Sequence, residues 1–234
     1  MPSSPNAESR QGLLAGLLAL IAGYVDAYTF VSYQVYGSFM SGNTTQTGLQ
    51  AGEGRLAEAG YNLLPIPLFV LGVFAGTLLV HSAQGRQLRW LFGLVAGLLA
   101  VGIAAVAFAT PPDWLGIVIL SLALGIMNTA VTSVGEQSVS PGYVSGTLNH
   151  LAQHLALAAR GVPLRHKLGP RDSHGRRAAL LAAVWASFLA GALLAGVLTS
   201  ELAVWSLSLP IAILLLLGAV GGTASLHPGE ADSP

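Results

Sequence analysis

The chain has 234 residues, of which 53% are hydrophobic and 9% charged, with a mean hydropathy of +0.66 and a formal net charge of zero. Soluble domains carry roughly a quarter charged residues, so this composition excludes one, and the zero net charge implies neither a nucleic acid nor any other strongly charged partner. The absence of Cys excludes disulfides and thiolate metal sites and leaves the redox compartment open.

Residues 1–11 form a polar lead in which Arg10 precedes an apolar run. That run reaches about Phe30, longer than the core of a signal peptide, so it is expected to be retained as a helix. Six apolar runs occupy 12–31, 61–81, 90–109, 114–133, 178–199 and 202–221. Each is near the roughly 20 residues that cross a bilayer. They predict an all-α polytopic membrane protein with one transmembrane domain over 12–222 and a polar tail over 223–234. Trp90, Trp114 and Trp205 lie near run ends, where indoles favour the interface, and Trp185 lies deeper. Gly12/Gly16, Gly72/Gly76, Gly93/Gly97 and Gly218/Gly222 are each four apart, a spacing that predicts close helix packing. Pro65 and Pro67 fall in the first turns of the second run, where a missing N–H costs least.

Between the first two runs the stretch Gly37–Gly48 holds Ser41, Asn43, Thr44, Thr45, Gln46 and Thr47 within seven residues. Backbone in hydrocarbon must have every N–H and C=O paired, so such a segment belongs inside a bundle or against a water-filled cavity. It predicts a re-entrant loop with a half-helix over Ser41–Gly52. A second, weaker copy lies at Pro141–Arg160, with its half-helix over Ser145–Arg160. Six spans place nine basic residues on one side and Arg55 alone on the other; eight spans divide them eight to two. Either count puts both termini in the cytoplasm. The six basic residues between Arg160 and Arg177 read as a topology anchor that also contacts lipid headgroups.

Gly23-Tyr24-Val25-Asp26-Ala27 has a counterpart 102 residues on in Gly125-Ile126-Met127-Asn128-Thr129. Ser41-Gly42-Asn43-Thr44 matches Ser145-Gly146-Thr147-Leu148 at an offset of 104. Three spans per unit place the two copies in opposite orientations, so an inverted repeat of about 12–109 and about 114–222 is expected. The order G-x-x-D-A, F-M-S-G-N-T, G-x-x-N, Y-V-S-G-T-L resembles the YoaK family, bacterial membrane proteins grouped under a domain of unknown function. The resemblance runs from about Gly12 to Gly222 and departs at Met127, where the family commonly has Gln. It implies a multi-pass protein of the bacterial inner membrane, and no particular activity.

Asp26 is the one formal charge inside the six runs, and an ionisable group within a span is costly unless it faces a cavity or partner. Its bland reading is a tie to the following loop. Asn43, Thr44, Gln46, Asn128, Thr147 and Asn149 join it as candidate substrate or coupling residues, with Thr47, Gln153 and Glu136 of the same rank. Each of these also has a plain role in hydrogen-bonding local backbone. His150 and His154 share a helix face, but HLAQH lacks the internal Glu of a zinc-binding H-E-x-x-H. They join the candidate substrate or coupling residues, as hydrogen-bonding groups of a type that can change charge near neutral pH. Ser145 and His150 do not form a nucleophile–base pair on one helix. The expectation is a non-enzymatic permease for an unidentified small solute, without cofactor and proton-linked through Asp26. The alternative is a membrane scaffold or assembly partner.

Overall fold

A computed structural model of the chain describes residues 5–82, 87–130, 133–134, 137–138, 142–164 and 172–220. The helices are α1 (Pro5–Tyr33), α2 (Met40–Gly52), α3 (Leu56–Leu63), α4 (Pro65–Ser82), α5 (Gln87–Phe108), α6 (Asp113–Met127), α7 (Val144–Ala159), α8 (His174–Leu202) and α9 (Ser208–Val220). A two-residue antiparallel pair, Ser133–Val134 with Gln137–Ser138, lies between α6 and α7. Among the described residues, four helical stretches are long and apolar enough to cross a membrane: Ser9–Tyr33, Leu56–His81, Gln87–Phe108 and His174–Val220.

Two of the six expected runs differ in detail. Helix α6 stops at Met127 with Asn128 as its C-cap, so the run drawn to residue 133 is helical over a shorter length. The last run opens with a 3₁₀ turn over Ala203–Leu207, and Ala203 holds φ 49°. A non-glycine residue rarely takes that conformation. It breaks a 47-residue helical stretch that, unbroken, would be about 70 Å long against a hydrocarbon core of about 30 Å.

Helix α1 is the central element and is far more buried than Leu56–His81. Leu18, Ile21 and Val25 of α1 join Leu91 and Leu99 of α5, Leu120 and Met127 of α6 and Leu214 of α9 in the core. Outward residues such as Leu13, Phe74, Leu193 and Leu215 stay exposed, as lipid-facing positions do. The largest helix–helix contacts are α1 with α8 and α4 with α6. Both are backbone-to-backbone. A Cβ on Gly23 would collide with the Phe188 carbonyl, and one on Gly191 with the Leu20 carbonyl. One on Gly72 would lie 2.5 Å from the Leu122 carbonyl oxygen, and one on Gly125 would strike that of Phe69. The expected spacing pairs sort unevenly. Gly72 and Gly76 sit in the α4–α6 contact, whereas Gly93 and Gly97 have nothing within 4 Å of a Cβ and pack no helix. Gly12 and Gly16 face α8 side chains at 3.3 and 3.4 Å. Gly222 lies outside the described residues.

Candidate functional site: a polar junction at two broken helices

The site begins where α1 ends. Thr29 Oγ1 donates to the Val25 carbonyl at 2.6 Å, and Gln34 at φ 58° turns the chain back along α1. The returning segment brings the Ser38 N–H to 2.7 Å from Asp26 Oδ1, with the backbone of Gly37 and Phe39 beside the same carboxylate. Asp26 is 5% exposed. Gly37 packs closely here: a Cβ would lie 2.6 Å from Leu124 Cδ1, so that leucine would have to move aside for any larger residue. Asn43, with no exposed surface, clasps the same segment from the other side. Its Oδ1 accepts from Tyr36 N at 3.0 Å and its Nδ2 donates to Tyr36 O at 2.6 Å. Tyr36 stacks on Phe30 and meets Phe39 edge-on. The loop over 34–39 is thus fastened at both ends by side chains that pair with its half-buried backbone.

The second broken helix starts in the same manner. Phe39 precedes α2 at φ −84°, ψ 72°, and Tyr143 precedes α7 at φ −101°, ψ 73°. The ring of Phe39 occupies the space a Cβ of Gly42 would need, and the ring of Tyr143 does so over Gly146. Both helices close alike, with Gly54 at φ 77° and Gly161 at φ 63°. Each closure has a return bond, Arg55 N to Gln50 O at 2.8 Å and Val162 N to Leu157 O at 3.1 Å. The segments that lead into α2 and α7 meet each other. A Cβ on Gly142 would lie 3.5 Å from Ser38 Oγ and 3.6 Å from Asn128 Oδ1.

Of the candidate residues, the structure brings Asp26 and Asn43 onto the first loop and Asn128 against the segment leading into α7. Thr147 is buried, with Oγ1 bonded to the Tyr143 carbonyl at 2.9 Å. Thr44, Gln46 and Asn149 are exposed and face away. Thr44, Thr45 and Thr47 donate to Met40, Ser41 and Asn43 carbonyls one turn back, which satisfies them locally. Gln153 is exposed, and Glu136 lies outside the described residues. His154 belongs to a different contact: its Nδ1 lies 2.7 Å from His174 Nδ1, with His150 nearby on the same helix. His174 was not legible as a partner, because 20 residues separate the rings in the chain. Ser38 and Gly142 were missed for a similar reason, being small residues whose place depends on how two loops meet.

A helical bundle with several membrane-length helices, and two shorter ones whose leading segments meet at Ser38, Asn128 and Gly142, defines a polytopic integral membrane protein. Residues 14–220 match the family described as "Protein of unknown function (DUF1275)", and the chain belongs to it. It is 29% identical over 157 residues to UPF0700 transmembrane protein YoaK of Bacillus subtilis (strain 168), covering 64% of this chain and 69% of that protein. It is 32% identical over 210 residues to UPF0700 transmembrane protein RA0705 of Rhizobium meliloti (strain 1021), covering 88% and 84%. No solved structure matches. The expected YoaK-like membership is therefore correct.

Proposed function

We propose that the protein is a non-enzymatic small-solute permease of the bacterial inner membrane, built as an inverted repeat with both termini cytoplasmic. The observation that carries the reading is the pair of half-helices whose first residues match in backbone conformation and meet at Asp26, Ser38, Asn128 and Gly142. Solute sites in repeat transporters form at such discontinuous helices. The packing supports the repeat. Exchanging the halves takes α1 to α6, α2 to α7, α4 to α8 and α5 to α9. The α1–α8 contact then becomes the α6–α4 contact, and both rest on glycine backbones.

Asp26 supplies a carboxylate where the matched position has Asn128. Accepting the Ser38 N–H holds the start of α2 in place. Protonation weakens that acceptor and loosens the loop, which links proton uptake to a change of access. The test is uptake of a panel of small solutes into proteoliposomes between pH 5 and 8. Asp26→Asn keeps the Ser38 acceptor but loses the charge, so uptake should fall or lose its pH dependence in a folded protein. Unchanged uptake by that variant across the range contradicts proton linkage, and no uptake of any solute by the wild type contradicts the permease. A scaffold or assembly partner is the second reading. The exposed Gln46, Asn149 and Gln153 favour it, because polar side chains at a lipid-facing surface call for a protein neighbour.

A further inference from the structure

The face carrying Asp113 holds a cavity of about 430 Å³ that the polar junction does not use. It lies between the end of α1, the α5–α6 connection and the 3₁₀ turn, within the roughly 300–1,000 Å³ range of small-molecule sites. Tyr28, Ser32, Tyr33, Thr199 and the exposed Asp113 are among its lining residues. Thr199 Oγ1 is buried and makes no hydrogen bond among the described residues, so a polar group in the cavity would find a partner there. Tyr33 is set in place by Gly116, whose absent side chain leaves the space the phenol ring fills. A second cavity of about 380 Å³ adjoins the other side of Tyr33, lined by Glu58, Tyr61 and Asn62. Among the described residues, no Lys, Arg or His lines either cavity.

The chemistry of the larger cavity disfavours an anion, because the one formal charge among its described lining residues is a carboxylate. A carboxylate beside tyrosine rings suits a compact organic cation, held by charge and by ring quadrupoles. We propose that this cavity binds a small organic ammonium ion through Asp113, Tyr28 and Tyr33. The inference rests on the permease reading, since it names the substrate class that an outer vestibule would collect, but binding is measured without transport. Two sources offer the same chemistry: a free solute such as choline, and the ethanolamine headgroup of a neighbouring lipid.

The experiment is equilibrium binding of radiolabelled choline to the full-length protein in nanodiscs of phosphatidylglycerol alone. Its uncharged isostere 3,3-dimethyl-1-butanol serves as competitor. Choline should bind saturably and the isostere should compete poorly. Asp113→Asn should weaken choline about five-fold, the effect of losing one exposed charge pair. Asp113 lies exposed at the first turn of α6, so Asn there leaves the fold intact. Tyr33→Leu should weaken choline and leave the isostere unchanged. Repeating the measurement with phosphatidylethanolamine in the disc separates the sources: loss of choline binding identifies the headgroup as occupant, and retention identifies a free solute. Absence of saturable choline binding, equal competition by the isostere, or an unaffected Asp113→Asn overturns the inference. Uptake of some other solute would then leave the permease reading standing. Choline binding without uptake of any solute would sink that reading and keep this one.

Discussion

Gly72→Ala is expected to destabilise the bundle at the contact joining the two halves. The added Cβ would lie 2.5 Å from the Leu122 carbonyl oxygen, 3.0 Å from Gly125 Cα and 3.1 Å from Ile126 N. All three are backbone atoms of α6 and cannot rotate aside. Ordinary contact begins at 3.4 Å, so α4 and α6 must separate by about 0.9 Å at this point. A gap of that size forfeits roughly a quarter to a half of the local dispersion energy, and overpacking of this kind costs about 1–3 kcal/mol. Gly93→Ala is the control, since no atom lies within 4 Å of a Cβ there. That variant should be neutral, or gain up to about 1 kcal/mol from helix propensity. Thermal unfolding in detergent, read as the fraction remaining monodisperse by size exclusion, should place Gly72→Ala several degrees below Gly93→Ala. Gly125→Ala meets the Phe69 carbonyl in the same contact, so the double variant should cost less than the sum of the singles. Equal melting of Gly72→Ala and Gly93→Ala would refute the packing argument.

Asn43→Ala removes both bonds to the half-buried Tyr36 backbone, at roughly 1–3 kcal/mol. Gln46→Ala, on the exposed face of the same helix, should melt within about 0.5 kcal/mol of wild type, and comparing the two scans checks both. His154 in α7 is held below its ordinary imidazole value by burial first and His174 next, with Arg177 and His150 adding repulsion and Asp172 opposing them. A lowered value favours the neutral ring in the folded state. Its stabilisation is present above about pH 6.5 and is lost as pH falls below it. Melting should therefore drop between pH 7.5 and 5.5, and His154→Gln should reduce that drop. A variant with the wild-type pH dependence would remove the histidine pair as its source.

Much of the fold was legible in the sequence, because its signals are local. Apolar runs found the long helices, and the half-helices expected at Ser41–Gly52 and Ser145–Arg160 lie at Met40–Gly52 and Val144–Ala159. Glycine spacing was a poorer guide. Four-residue pairs occur both where helices touch, at Gly72 and Gly76, and where they face outward, at Gly93 and Gly97. The contacts at Gly23, Gly125 and Gly191 lack a second glycine four residues away, yet each meets backbone of the other half. The polar candidates divided by helical phase. Asn43 turns inward while Thr44 and Gln46, its near neighbours, turn outward, and composition cannot separate them. Asp26 was expected to lack a cation partner, and the structure answers with backbone amides instead.

The central claim is that α2 and α7 enter the membrane from opposite faces. Their C-terminal ends carry Glu53 and Val162, both exposed. With no native Cys, Glu53→Cys and Val162→Cys can each be labelled alone by a membrane-impermeant maleimide in intact cells and in inverted vesicles. If the two half-helices are opposed, Glu53→Cys reacts only in intact cells and Val162→Cys only in inverted vesicles. Labelling of both from the same side would contradict that arrangement.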